Sequence, residues 1–148
     1  MVETETKKLV QDLLASQPLA VLSTHQAGQP YSNLVAFAAD PDLENIYFAT
    51  TRATRKFANI TADPRVAVLI DNRANQEADF AEAAALTVVG SAHEVHGSEK
   101  EQGLQLFLPK HPYLKDFVGA PTCALLKVKV AKYILVNRFQ EVREMSPA

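Results

Sequence analysis

The sequence predicts a mainly β, α+β domain in which short strands, joined largely by hairpins, curl into a barrel with a few helices inserted. Three observations carry this reading. Short apolar, β-rich segments recur along the chain between clusters of turn-forming residues. The first two connections are too short for the crossovers a parallel sheet needs. The 148 residues, 47% hydrophobic and 22% charged, make one ordinary domain, residues 1–148, without repeats, linkers or low-complexity tracts.

Each element follows from local pattern. Leu9, Val10, Leu13 and Leu14 fall on one helical stripe, which predicts an amphipathic helix over about 3–16, stopped near Pro18. Residues 19–24 are short, apolar and β-rich, a buried strand. The turn chemistry of Gln26-Ala27-Gly28-Gln29 leads to a second strand over 30–39, so the two form a hairpin. Tyr31, Asn33, Val35 and Phe37 share one face of it, and Ser32, Leu34, Ala36 and Ala38 the other. Asp40-Pro41-Asp42 marks a turn, and 45–50 is a third strand. Residues 51–62 read as a helix on the spacing of Phe57 and Ile60, ended by Asp63-Pro64. Strands follow at 65–71 and 86–95, separated by a polar loop over 72–82. Gly90 marks a bulge or a close approach. A helix over 98–110 carries a capping box, Ser98 with Glu101. A shorter helix spans 111–118, and a long last strand spans 123–136.

Charge and cysteine content exclude several classes. Lys and Arg number 15 and Asp and Glu 17, a net charge of −2, so no global field favours nucleic acid or anionic lipid. Any anion must be held by a local cluster. The single cysteine, Cys123, rules out a disulfide framework. It opens an apolar strand and reads as a buried structural thiol. The polar N-terminus lacks the pattern of a signal peptide, and no run of 18 apolar residues occurs. The expectation is a soluble, cytoplasmic protein without a nucleic-acid or membrane partner.

The densest chemical signal is Thr50-Thr51-Arg52-Ala53-Thr54-Arg55-Lys56, between a strand and a helix start. A helix N-terminus carries partial positive charge, so cations there are unfavourable unless an anion answers them. An anion would also meet free backbone N–H groups. Spacing alone leaves two readings open, a phosphate seat or a solvated basic first turn.

The segments Leu19-Ala-Val-Leu-Ser-Thr-His25, Gly28-Gln-Pro-Tyr-Ser-Asn-Leu-Val35, Ile46-Tyr-Phe-Ala-Thr-Thr51, Thr54-Arg-Lys56, Asn59 and Asp63-Pro-Arg-Val-Ala67, in this order, resemble the pyridoxamine 5′-phosphate oxidase-like family. The similarity is densest over 19–71 and continues more loosely to Glu94. These are FMN-binding split-barrel proteins, usually homodimers with the flavin at the subunit interface. The resemblance implies a six-stranded antiparallel split β-barrel with peripheral helices and a homodimer whose cofactor is FMN. It implies that Arg55 and Lys56 bind the FMN phosphate, helped by Thr51 or Thr54, and that Thr50 contacts the phosphate–ribityl tail. Asn33, Leu34 and Val35 match the strand that runs along the isoalloxazine ring; the alternative for Asn33 is a polar residue on an open barrel face. Arg52 either reaches the phosphate or is solvated. Asn72 and Arg73 either touch the ring or the partner subunit, or belong to a plain loop.

The implied activity is FMN-dependent oxidoreduction, with electrons passing from a reduced donor to a small acceptor. Two departures argue against oxidation of pyridoxamine phosphate itself. The chain lacks the Arg/His-rich C-terminal segment of true oxidases, and Ala38 stands where they carry a strand-two lysine. In addition, Ala85 replaces a glutamine that commonly contacts the flavin. The alternatives are a flavin- or haem-binding module without turnover, and a deazaflavin-dependent reductase, for which the compact Thr50–Lys56 cluster is a poorer match. No general acid or base stands out. His93 and His96 have poor spacing for one metal on a strand, and His25 and His111 read as surface residues. Lys127, Lys129 and Lys132 form a basic stripe on the last strand.

Overall fold

The computed structural model describes residues 2–138 and 140–147. Its strands are β1 (Leu19–Gln26), β2 (Gln29–Ala39), β3 (Asn45–Thr51), β4 (Arg65–Asp71), β5 (Ala85–Glu94), β6 (Cys123–Asn137) and β7 (Glu141–Met145). The helices are α1 (Val2–Ser16), α2 (Arg55–Ala62), α3 (Asp79–Glu82), α4 (Gly97–Lys110) and α5 (Lys115–Gly119), with a 3-10 turn at Pro112–Leu114. Six strands pair antiparallel in the order β3-β2-β1-β4-β5-β6, and β6 returns to β3 to close the barrel. The outer half of β6 pairs with β7 instead, which lies outside the closed ring. The six-stranded antiparallel barrel is the expected architecture; β7 is an addition that the alternation past Asn137 did not announce.

Alternation puts one side chain of every pair inside the barrel. Leu22, Phe37, Ile46, Phe48, Val68, Ile70, Leu86, Val88, Val128, Tyr133 and Leu135 are all buried there. The Tyr133 hydroxyl donates to Leu43 O at 2.7 Å, so this buried phenol is satisfied. α1 adds Val10, Leu13 and Leu14 to the same core, and α2 adds Ile60, with Phe57 partly buried beside it. Outside the barrel, α4 and α5 cover β2, β3 and β6 through Phe107, Val118 and Ala38. Gly103 allows that close approach: a methyl group there would fall 2.6 Å from the Tyr47 ring and 2.8 Å from Leu125. An alanine would therefore overpack the interface despite its better helix propensity.

One turn and one bulge decide the register. The β1–β2 hairpin closes through Ala27 (φ 49°) and Gly28 (φ 82°), the left-handed pair that matches strand twist. Opposite Gly90, Ala131 of β6 is left without a partner, since Val89 pairs with Lys132 while Gly90 pairs with Val130. That bulge returns Lys132 to the outer face shared with Lys127 and Lys129, which strict alternation would deny it. It also keeps Val128, Val130 and Tyr133 inside.

Several local expectations are corrected. α2 starts at Arg55, not at residue 51, because Thr51 still pairs with Cys123 in the sheet and Thr54 caps the helix. α4 begins after His96, with no side-chain cap; Gly97, at φ 58°, turns the chain into the helix ahead of Ser98, so the capping box does not form. The 72–82 loop contains one helical turn, pinned by Asp79, whose carboxylate accepts from Ala74 N and Gln76 N, both at 3.0 Å. His111 is a core residue, 1% exposed, with its Nε2 2.8 Å from Phe37 O.

Candidate functional site

β2 and β3 run antiparallel and bring residues 34–36 beside residues 49–51, just where the chain turns into α2. Leu34, Val35, Thr50, Thr51, Thr54 and Lys56 line one cavity of about 240 Å3 there, roofed by Phe107, Leu114 and Phe117. Six residues singled out in the sequence thus meet at one place. The roof was missed. Its only signal was the apolar residues Leu114 and Phe117 in the segment over 111–118, which carries no chemistry of its own.

The polar groups are ordered around the helix start. Thr54 is the N-cap: its hydroxyl accepts from Phe57 N at 3.4 Å and donates to Thr51 O at 2.9 Å. Thr50, buried, places its hydroxyl 3.1 Å from that of Thr54. The first turn of α2 contains no acidic residue, yet it starts with two cations, Arg55 and Lys56. Lys56 is half-buried, and loss of hydration lowers its pKa below the ordinary lysine value. Its contact in the chain is the neutral Asn33. With the amide oriented to satisfy both neighbours, Asn33 accepts from Lys56 Nζ at 2.9 Å and donates to Leu22 O at 3.3 Å. Asn33 is therefore half-buried and engaged, not a polar residue on an open face. Arg55 lies over the Tyr31 ring at 5.4 Å. Neither Arg55 nor Lys56 forms a salt bridge among the described residues.

Arg52 is placed differently. Its guanidinium meets Glu94 of β5 at 2.5 Å and donates to Pro121 O at 2.8 Å. The hydrogen bond from Arg52 holds the Glu94 carboxyl below its ordinary pKa. Arg52 thus ties the end of β3 to β5 and to the loop before β6. Asn72 and Arg73 lie beyond β4, outside the cavity lining: Asn72 Oδ1 accepts from Ala84 N at 2.8 Å, and Arg73 pairs with Asp71 at 3.2 Å. No group of three or more His, Cys, Asp or Glu side chains suited to a metal occurs among the described residues. Cys123 is buried, and burial raises its pKa.

A family model for pyridoxamine 5′-phosphate oxidase matches residues 6–137. The chain belongs to this family. Solved structures agree on the architecture of this pyridoxamine 5′-phosphate oxidase family member. A heme-binding protein from Mycobacterium smegmatis superposes with a TM-score of 0.84 at 15% identity, over 95% of this chain and 57% of that one. This chain therefore spans little more than half of that protein's length. HutZ, the heme storage protein from Vibrio cholerae, gives 0.72 at 16% identity, over 83% and 88%. A putative pyridoxamine 5′-phosphate oxidase from Listeria innocua gives 0.70 at 17% identity, over 89% and 98%. At such identities the likeness is one of fold. Comparison with curated protein sequences gives no match.

Proposed function

We propose that this family member binds FMN in the β2–β3–α2 cradle of a homodimer and serves as an FMN-dependent oxidoreductase for a small substrate. The observation that carries the reading is Lys56, a half-buried cation on the cavity, at a helix N-terminus, whose partner in the chain is a neutral amide. Taking that amine out of water is unfavourable, and a phosphate would offset the loss with charge-assisted hydrogen bonds. Arg55, Thr51 and the N–H groups of the first turn of α2 would complete the seat. Leu34 and Ala36 on the outer face of β2, with Val35 between them and Phe107 and Phe117 on the same cavity, offer the apolar strand and rim suited to a planar ring. When bound, the flavin would supply hydride or electron transfer; the chain would anchor its phosphate, orient the ring along β2 and exclude water under the α4–α5 roof.

The partner is a second copy. α4 and α5 cover one outer side of the barrel, whereas among the described residues no apolar cluster covers the outer side of β1, β4 and β5. Two cross-strand rows lie on it, Leu34–Val21–Leu69–Thr87 and Ser32–Ser23–Ala67–Val89. These side chains are half-buried or exposed in the single chain, with Leu34 at 64%. Leu34 belongs both to this face and to the cavity lining, so a partner seated there would close the cradle. Pyridoxamine phosphate is a poor candidate substrate, since Ala38 is packed under Phe107 and Val118, where a lysine head would be buried.

Haem binding is the second reading, favoured by the two heme proteins among the similar structures. Its best-placed ligand is His25, which lines an open groove of about 450 Å3 with Arg65. His25 Nε2 sits 3.1 Å from Asp63, an orienting contact of the kind seen for ligating imidazoles. Absorbance spectra of the purified protein, with FMN and separately with haem, test both. Flavin bands with quenched fluorescence on adding FMN support the first reading. A Soret band with no flavin uptake replaces it with the second.

A further inference from the structure

On the other side of α4 lies a second cavity, of about 450 Å3, that shares no lining residue with the cradle. α1 contributes Leu14 and Ala15, β2 contributes Ala38 and Ala39, and α4 contributes Leu106 and Lys110. The walls are largely apolar, and Gln11, Asp40 and Lys110 are the polar side chains on them. The Lys110 amine rests 3.8 Å from the centroid of the Phe37 ring and donates to Leu14 O at 2.9 Å. It forms no salt bridge among the described residues. Asp40, the one carboxylate on the lining, is occupied elsewhere: it accepts from Glu44 N and from Asn45 Nδ2, both at 2.9 Å. Burial pushes the Lys110 pKa down to about 8, the mark of a cation without a counter-charge.

An ammonium has three N–H donors; Lys110 gives one to Leu14 O, rests on the Phe37 ring, and makes no other hydrogen bond among the described residues. A lysine needed only to cap the last turn of α1 through Leu14 O would do so equally well from solvent, with its charge hydrated. Here Lys110 lines a largely apolar hollow. We infer that this cavity is a binding site for a small apolar monocarboxylate, its anion on Lys110 and its hydrocarbon body against Leu14, Ala38 and Leu106. Asp40 on the same lining disfavours added negative charge, which the single cation of Lys110 offsets for one carboxylate and not for two, so a dicarboxylate of equal length should bind more weakly. The inference does not depend on the cofactor in the cradle.

The test is a backbone-amide NMR titration of the full chain with octanoate, octanol and suberate. Saturable shifts at Ala15, Ala38, Ala39 and Leu106 are expected with octanoate. Suberate and octanol, which lack the single matched anion, should bind about tenfold or more weakly. Lys110→Met should weaken octanoate by a similar factor while leaving octanol unchanged, and Lys110→Arg should retain most of the affinity. The proposal is overturned if octanoate perturbs other residues or none, or if octanol matches octanoate on the unaltered protein. That last comparison decides the matter even if Lys110→Met fails to fold.

Discussion

Cations leave the ends of two strands, β3 and β4, which β2 and β1 separate in the sheet, and they are put to opposite uses. After β3, Arg55 and Lys56 open α2 with no carboxylate to meet them. After β4, Arg73 pairs at once with Asp71, and Asn72 and Asp79 are spent on backbone N–H groups of the same loop. Arg52 belongs with the second group, though it lies three residues from Arg55, because Glu94 and Pro121 O take up its guanidinium. A cation matched within its own chain supports structure. One left unmatched, half-buried and on a cavity points to a ligand.

The contrast can be broken most sharply at the helix start. Replacing Arg55 and Lys56 together by alanine should weaken FMN about a hundredfold or more, with riboflavin affected far less, since only FMN bears the phosphate those charge-assisted bonds would hold. Fluorescence titration with both ligands reads the difference; equal losses would place the phosphate elsewhere. The next largest effect concerns the uncovered face. Leu69→Arg, pointing outward between Val21 and Thr87, should convert dimer to monomer in sedimentation at unchanged concentration. A mass that stays at two chains would move the interface off this face.

Smaller effects separate matched from unmatched cations. Lys110 holds its proton to only about 8 in the fold, against 10.5 ordinarily. Over that interval the unfolded chain binds more protons than the folded one, so this residue makes stability rise with pH. Below it both states are protonated and the contribution is flat, at its least favourable. Denaturant titrations of the wild-type protein and Lys110→Met should show their difference changing in that window and with that sign. Arg73→Ala should change FMN affinity and the flavin spectrum least, by less than about twofold, as expected of an exposed ion pair. A clear loss at Arg73 would show that it crosses to a partner's flavin.

Much of this was legible in the sequence, and what escaped shares a physical reason. Short strands and hairpin turns are local patterns and led to a barrel-like domain, and the crowding of hydroxyls and cations between Thr50 and Lys56 marked one local cluster; the six-stranded count and the β2 residues Asn33, Leu34 and Val35 came from the family resemblance. The fate of Arg52 was set by Glu94, 42 residues away, and that of His111 by the Phe37 carbonyl, 74 residues away. No window of sequence holds both partners. The roof over the cradle comes from α4 and α5, whose apolar residues look like any other helix packing. Lys132 is the opposite case: Gly90 marked the bulge in the sequence, and that bulge, opposite Ala131, is what sets Lys132 on the stripe with Lys127 and Lys129.

A phosphate seat at the start of α2 is tested most directly by the affinity of the unaltered protein for FMN and riboflavin, titrated side by side by flavin fluorescence. FMN binding tighter by about a hundredfold or more is the result predicted. Equal affinity for the two, or uptake of neither, would contradict it.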